Sequence, residues 1–195
     1  MGDENDGYSK TYEVVEELLK IKNIVVVKGN HSEWLRQHME NGFAENIFLS
    51  KGGEDTLKYY KSHGYEYPNF PQSHVTFFNS AMNYYELDEM LFVHGGFDYP
   101  THPKDTSTVI LTWDRSLIER AKNGLKIKEW KKVFVGHSTT ENEGAVPFVG
   151  GHEDGAKIIN VDCGSGWKGR LCLWDIDTDE YVLSEYAEGH ENENL

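Results

Sequence analysis

Three short apolar runs in the chain end the same way. Val25-Val26-Val27-Lys28 leads into Gly29-Asn30-His31, Leu91-Phe92-Val93 into His94-Gly95-Gly96, and Val133-Phe134-Val135 into Gly136-His137. A metal-ligating residue type stands at each carboxyl end, where an open α/β sheet gathers its ligands, and the glycines allow a sharp turn and a close approach of backbone to ligand. A fourth segment, Met1-Gly2-Asp3-Glu4-Asn5-Asp6-Gly7, adds a Gly-Asp followed three residues later by a second Asp. Imidazole, amide and carboxylate together make a mixed nitrogen and oxygen set suited to Mn, Fe or Zn rather than to a calcium cage. Taken singly, each residue has a plainer reading. A histidine after a strand is more often a hydrogen-bonded structural residue than a ligand, Asn30 suits a left-handed turn, and Asp3 suits a turn before a helix. Agreement among three strand ends favours the ligand reading. His38, His63, His74, His102, His152 and His190 lack such settings and are expected on the surface or in the core, with His152 the one to check.

These positions need elements to hold them. Residues 9–22 place Val14, Val15, Leu18 and Leu19 on one helical face, with Ser9 as N-cap, Glu13 in the first turn and lysines at the end. Ile24 to Val27 then reads as a buried parallel strand, being β-branched and without alternation. A second helix is expected from near Ser32, turning Trp34, Leu35 and Met39 inward and ending at Gly42. Residues 43–89 are aromatic-rich and broken by glycine, which predicts short helices forming a cap-like insertion. Met90 to Val93 and Val133 to Val135 read as strands, with a helix carrying Leu117, Ile118, Ala121 and Leu125 between them. In the last fifty residues Lys157 to Val161, Arg170 to Ile176 and Tyr181 to Leu183 read as an antiparallel meander, turning at Gly164-Ser165-Gly166 and Asp177-Thr178-Asp179. Residues 187–195 form an acidic tail.

Composition narrows the partners. The chain has 195 residues with 19 Lys and Arg against 33 Asp and Glu, a formal charge of −14, so its mean field repels phosphate backbones and argues against nucleic acid and anionic membranes. An apolar fraction of 38% with 13% aromatic residues is that of a folded protein, and one domain is expected for this length. The longest apolar runs are only a few residues, too short for a membrane span or a signal peptide. Cys163 and Cys172, nine apart, make neither a disulfide framework nor a zinc pair and are read as reduced core thiols of a cytoplasmic protein.

Gly2-Asp3-Glu4-Asn5-Asp6-Gly7, Gly29-Asn30-His31, Val93-His94-Gly95-Gly96 and Gly136-His137, in this order, resemble the motifs of the calcineurin-like metallophosphoesterases. The branch most similar holds bacterial and phage serine/threonine protein phosphatases and the symmetrical diadenosine tetraphosphate hydrolases. The resemblance runs from residue 2 to about residue 183 and takes in Trp113-Asp114-Arg115 and Asp162-Cys163-Gly164. It implies an α/β fold, a β-sandwich flanked by helices, over residues 1–186. It also implies two divalent metals (Mn, alternatively Fe, Zn or Ni) and hydrolysis of phosphate monoesters, either on phosphoserine and phosphothreonine or on small phosphate esters. Asp3 then resembles the bridging carboxylate, with Asn30, His94 and His137 as the other ligands of the second, more complete site. His31 resembles the general acid, Asp6 the group that orients it, and Arg115, with Asn30, the phosphate grip. A surface salt bridge from Arg115 to Asp114 or Glu119 is the plainer alternative. The reaction itself demands charge neutralisation at the phosphoryl oxygens, a nucleophile near neutral pH and a proton for the leaving group.

The chain departs from the family at its start. The first family motif, Asp-x-His, occurs nowhere in the sequence, so a strand-helix-strand unit is expected to be missing and the first metal site to be incomplete. Gly7-Tyr8 stands where the family usually has an arginine. Weak or lost turnover follows as an expectation, as does an exposed sheet edge beside Ile24 to Val27 through which copies could associate. A pseudophosphatase that binds phosphate and metal without hydrolysis, and a diadenosine tetraphosphate-type hydrolase, are the alternatives to the phosphatase.

Overall fold

A computed structural model describes residues 1–6 and 10–187. Ser9, Gly7-Tyr8, His190 and all of the expected tail but Ala187 lie outside the described residues. The chain divides into two compact units, residues 2–82 and residues 83–195, with Met1 belonging to the second.

The first unit is helical. Helix α1 (Thr11–Leu18) is shorter than the helix expected over residues 9–22. After Leu18 the backbone tightens, with Lys20 N–H donating to Glu17 and Ile21 N–H to Leu18, so the helix does not reach residue 22. Val15 is buried and Leu18 packs on the core, whereas Val14 and Leu19 are exposed. Helix α2 (Asn30–Asn41) begins two residues before the expected start and buries Trp34, Leu35 and Met39. Gly42 closes it at φ 76°, in the left-handed region that glycine adopts without penalty, and donates to His38 O. Helix α3 (Asn46–Phe48) runs through a π-turn at Leu49–Gly53 into α4 (Glu54–Ser62), and α5 (Gln72–Asn79) follows. Phe48, Tyr60, Phe77 and Phe78 complete this core.

The Ile24 to Val27 run is not the buried strand expected of it. Its only β pairing among the described residues is one parallel bridge, Val27 to Met82, flanked by Lys28 N–H to Met82 O at 2.8 Å and Met82 N–H to Val26 O at 2.9 Å. Val26 and Val27 are buried, while Ile24 and Val25 remain 37% and 45% exposed, because no ladder extends along the run to cover them.

The second unit carries a five-stranded sheet. Strands β1 (Tyr84–Leu87), β2 (Met90–Val93), β3 (Lys132–Val135), β4 (Phe148–Gly150) and β5 (Lys157–Asn160) stand in the order β1-β2-β3-β5-β4. The three central strands are parallel, with Leu91 opposite Val133 and Val133 opposite Ile158, and the two edges are antiparallel. Alternation sends Leu91, Val93, Val133, Val135 and Ile158 to one face, against Leu111 of α6 (Thr108–Trp113) and Leu117, Ile118 and Ala121 of α7 (Ser116–Lys122). On the other face Phe92 and Phe134 stack at 4.9 Å. A hairpin of β6 (Cys172–Trp174) and β7 (Tyr181–Leu183) sets Trp174 edge-on to Phe134. The result is the expected α/β sandwich of sheets with helices on its flank.

Several boundaries move. Helix α7 stops at Lys122 and leaves Leu125 outside, because Gly124 at φ 77° donates to Ala121 O and Leu125 N–H reaches back to Arg120 O, a Schellman close. The expected C-terminal meander is split, since β5 lies between β3 and β4 in the main sheet while β6 and β7 pair only with each other. Edge strands β1 and β4 went unread because one falls in the aromatic stretch before residue 89 and the other is three residues long. Asp179 fastens the hairpin, pairing with Lys132 at 2.6 Å and Lys157 at 2.9 Å. Hydrogen bonds from these two lysines hold its carboxyl at about 2. Burial pushes the thiols of Cys163 and Cys172 up, the latter to about 12, as befits structural rather than reactive cysteines.

Candidate metal and phosphate site

In the first unit, Asp3, Asp6, Asn30 and His31 are drawn together by the start of α2. Gly29 precedes the helix and has no side chain to cap it, so the carboxylate of Asp3 does this from 28 residues away, accepting from His31 N–H at 2.8 Å. The Asp3 N–H donates to Ser32 Oγ at 2.8 Å, and Ser32 Oγ–H donates to Glu4. Gly29 leaves room for this approach. A Cβ would come within 2.5 Å of Asp3 N and 2.7 Å of Asp3 Cγ, and closer still to Oδ1. Asn30 occupies the first position of α2 and is 3% exposed.

His31 donates from Nδ1 to Asp6 Oδ2 at 2.6 Å, as the sequence motif implies. The other carboxylate oxygen of Asp6 accepts from Thr56 Oγ at 2.6 Å, and its side chain is 2% exposed. The bond commits Nδ1 of His31 to Asp6. Trp34 packs edge-on against the ring at 4.9 Å and fixes its plane. Thr56 and Ser32 were not anticipated. Thr56 lies 50 residues from Asp6 and gives no local signal, whereas Ser32, next to His31, is an ordinary helix-start residue by type.

In the second unit, His94 and His137 follow the carboxyl ends of the adjacent parallel strands β2 and β3. Both are buried, their ring centroids lie 5.1 Å apart, and ring nitrogens of the two approach within 4.8 Å. His94 Nδ1 lies 2.6 Å from the carbonyl of Met1. A carbonyl only accepts, so Nδ1 carries the proton, as it does in a histidine that ligates a metal through Nε2. Two buried imidazoles, one with its tautomer already set, fit a borderline transition metal. His137 adopts φ 60°, a left-handed conformation that costs a residue with a Cβ, and Arg115 holds it by donating to its carbonyl. Trp113 packs edge-on against the His137 ring.

Arg115 is therefore tied to His137 rather than to the acids beside it. Its Nη1 also lies 3.4 Å from Ser138 Oγ, and the oxygens of Asp114 accept instead from the N–H groups of Ser116 and Leu117 at the start of α7. Gly96 makes room for this, since a Cβ there would meet Asp114 Oδ2 at 2.6 Å. His74 is a core residue, 0% exposed, donating to Glu16 and accepting from Tyr60. His152 sits in a loop where its Nδ1 accepts from Asp154 N–H.

The chain superposes on a metallophosphoesterase from Sphaerobacter thermophilus with a TM-score of 0.56 at 18% identity, over 95% of this chain and 76% of that one. The fold is of the metallophosphoesterase type. A protein assigned as a diadenosine tetraphosphatase gives 0.59 at 14% identity, over 94% and 77% of the two chains. A cold-active protein tyrosine phosphatase gives 0.51 at 12%, over 96% and 68%. No family model matches the chain, and no curated protein sequence matches it. Among the described residues, no helix is long and apolar enough to cross a membrane.

Proposed function

We propose that this protein is a divalent-metal-dependent phosphoester hydrolase acting on phosphate monoesters, phosphorylated side chains or small esters. The observation that carries the reading is the buried pair His94 and His137 at the ends of neighbouring parallel strands, with the His94 tautomer fixed by the Met1 carbonyl. Asp3 and Asn30 are the remaining ligands that the motif order implies. A metal held by these residues would neutralise charge on the phosphoryl oxygens and acidify a water. His31 delivers a proton from Nε2 to the departing alkoxide, and Asp6, itself held by Thr56, keeps the imidazole aligned and stabilises its protonated form. Arg115 spends one donor on His137 O and offers the rest of its guanidinium fork to phosphate oxygens. Mn is the first metal to try, with Fe, Zn and Ni next.

The test is hydrolysis of p-nitrophenyl phosphate with and without Mn2+, beside His137→Ala, with bound metal counted by mass spectrometry. Mn-dependent turnover that the variant loses supports the hydrolase. A folded, metal-loaded protein that binds phosphate and turns nothing over overturns it in favour of a non-catalytic phosphate-binding module. The likeness to the protein assigned as a diadenosine tetraphosphatase favours dinucleoside polyphosphates as a second substrate class to assay.

A further inference from the structure

Beside Arg115 the second unit contains a cavity of about 240 Å3. Its lining includes Arg115, which donates to the His137 carbonyl, and Ser138, the residue after His137. Lys122, Glu119, Glu143 and Phe148 also line it. Its volume has room for several waters or for one small polar molecule such as a monosaccharide.

The lining selects among occupants by charge. The ammonium of Lys122 lies 3.2 Å from Glu143 and 3.4 Å from Glu119, so the two cations of the cavity are matched by two carboxylates. An anionic occupant would face those carboxylates, and an apolar one would strip water from four charged groups without replacing its hydrogen bonds. A ring bearing several hydroxyls satisfies both signs, donating to Glu119 and Glu143 and accepting from Lys122 and Ser138. Phe148, whose ring lies under the Lys122 ammonium at 5.9 Å, contributes apolar surface to the lining.

We propose that this cavity receives the polyhydroxylated leaving group of a sugar phosphate, making Glu143 and Phe148 specificity-determining residues. The inference rests on the hydrolase reading above and narrows its substrate class. It is tested on the Mn2+-loaded protein with p-nitrophenyl phosphate, ribose 5-phosphate, glucose 6-phosphate and a phosphoserine peptide, comparing wild type with Glu143→Gln and Phe148→Leu. The expected result is a higher kcat/KM for a sugar phosphate than for the peptide. Glu143→Gln should raise KM for the sugar phosphate about tenfold with kcat and all p-nitrophenyl phosphate kinetics unchanged. Turnover of p-nitrophenyl phosphate without preference for a sugar, or an equal effect of Glu143→Gln on every substrate, overturns the cavity assignment and leaves the hydrolase intact. If nothing is hydrolysed, the hydrolase reading fails, and calorimetry decides the cavity separately. Ribose 5-phosphate binding more tightly than inorganic phosphate in wild type but not in Glu143→Gln supports it, and equal binding of the two ligands refutes it.

Discussion

Replacing Gly29 by alanine puts a methyl group where the backbone and carboxylate of Asp3 now lie. Its Cβ would stand 2.5 Å from Asp3 N and 2.7 Å from Asp3 Cγ. The methyl group displaces Asp3, and the cost is taken as that of the hydrogen bonds Asp3 itself gives up. Those are the His31 N–H bond to the Asp3 carboxylate and the Asp3 N–H bond to Ser32 Oγ, each 2.8 Å. A bond to a charged acceptor contributes about 1.5–3 kcal/mol and a neutral one about 1, while the alanine returns about 0.4–1 by restricting the unfolded chain. The net expectation is a loss of about 2 kcal/mol, or a drop in Tm of about 4–8 °C for a chain of this size. Circular dichroism melts without metal read this directly, and titration with Mn2+ should show weaker binding because the Asp3 carboxylate has moved. A Gly29→Ala protein that melts within about a degree of wild type, with unchanged Mn2+ affinity, would refute the claim that Asp3 caps α2 and is positioned by it.

Two further outcomes follow from the same geometry. Burial alone would raise the Glu33 carboxyl, but hydrogen bonds from Arg36 and Gln37 and the charges of Lys28 and Arg36 outweigh it and hold the group at about 2 against an ordinary 4.5. Its stabilisation is therefore complete above about pH 4.5 and is lost as the pH falls through about 2, so the stability gap between wild type and Glu33→Gln, at most about 3 kcal/mol and nearer 1–2 after solvent screening, should close in acid; a gap independent of pH would contradict the pairing. Asp114→Ala removes the acceptor for the Ser116 and Leu117 N–H groups and should cost about 1 kcal/mol in a denaturant titration, with Asp114→Asn recovering most of it; equal losses in both variants would show that the cap is not what Asp114 contributes.

The sequence alone determined the residue types of the candidate site and the strand ends that carry two of them. Val93-His94 and Val135-Gly136-His137 were legible because a buried parallel strand is a short unbroken apolar run, and a polar residue just past it stands at the edge of the sheet. Helix α2 was legible from the period of Trp34, Leu35 and Met39 and from Gly42, since amphipathic spacing and a left-handed stop are both local properties. What depends on contacts between distant residues was not legible. Asp3 capping a helix 28 residues away, Thr56 fixing Asp6, and the Met1 carbonyl setting the tautomer of His94 leave no mark on neighbouring sequence. The apolar text of Ile24 to Val27 matched a buried strand, yet burial is decided by whether a neighbour pairs along the whole run, and here only Val27 is bridged. Composition and periodicity are written residue by residue; the partner that satisfies a carboxylate or covers a strand is chosen only when the chain closes on itself.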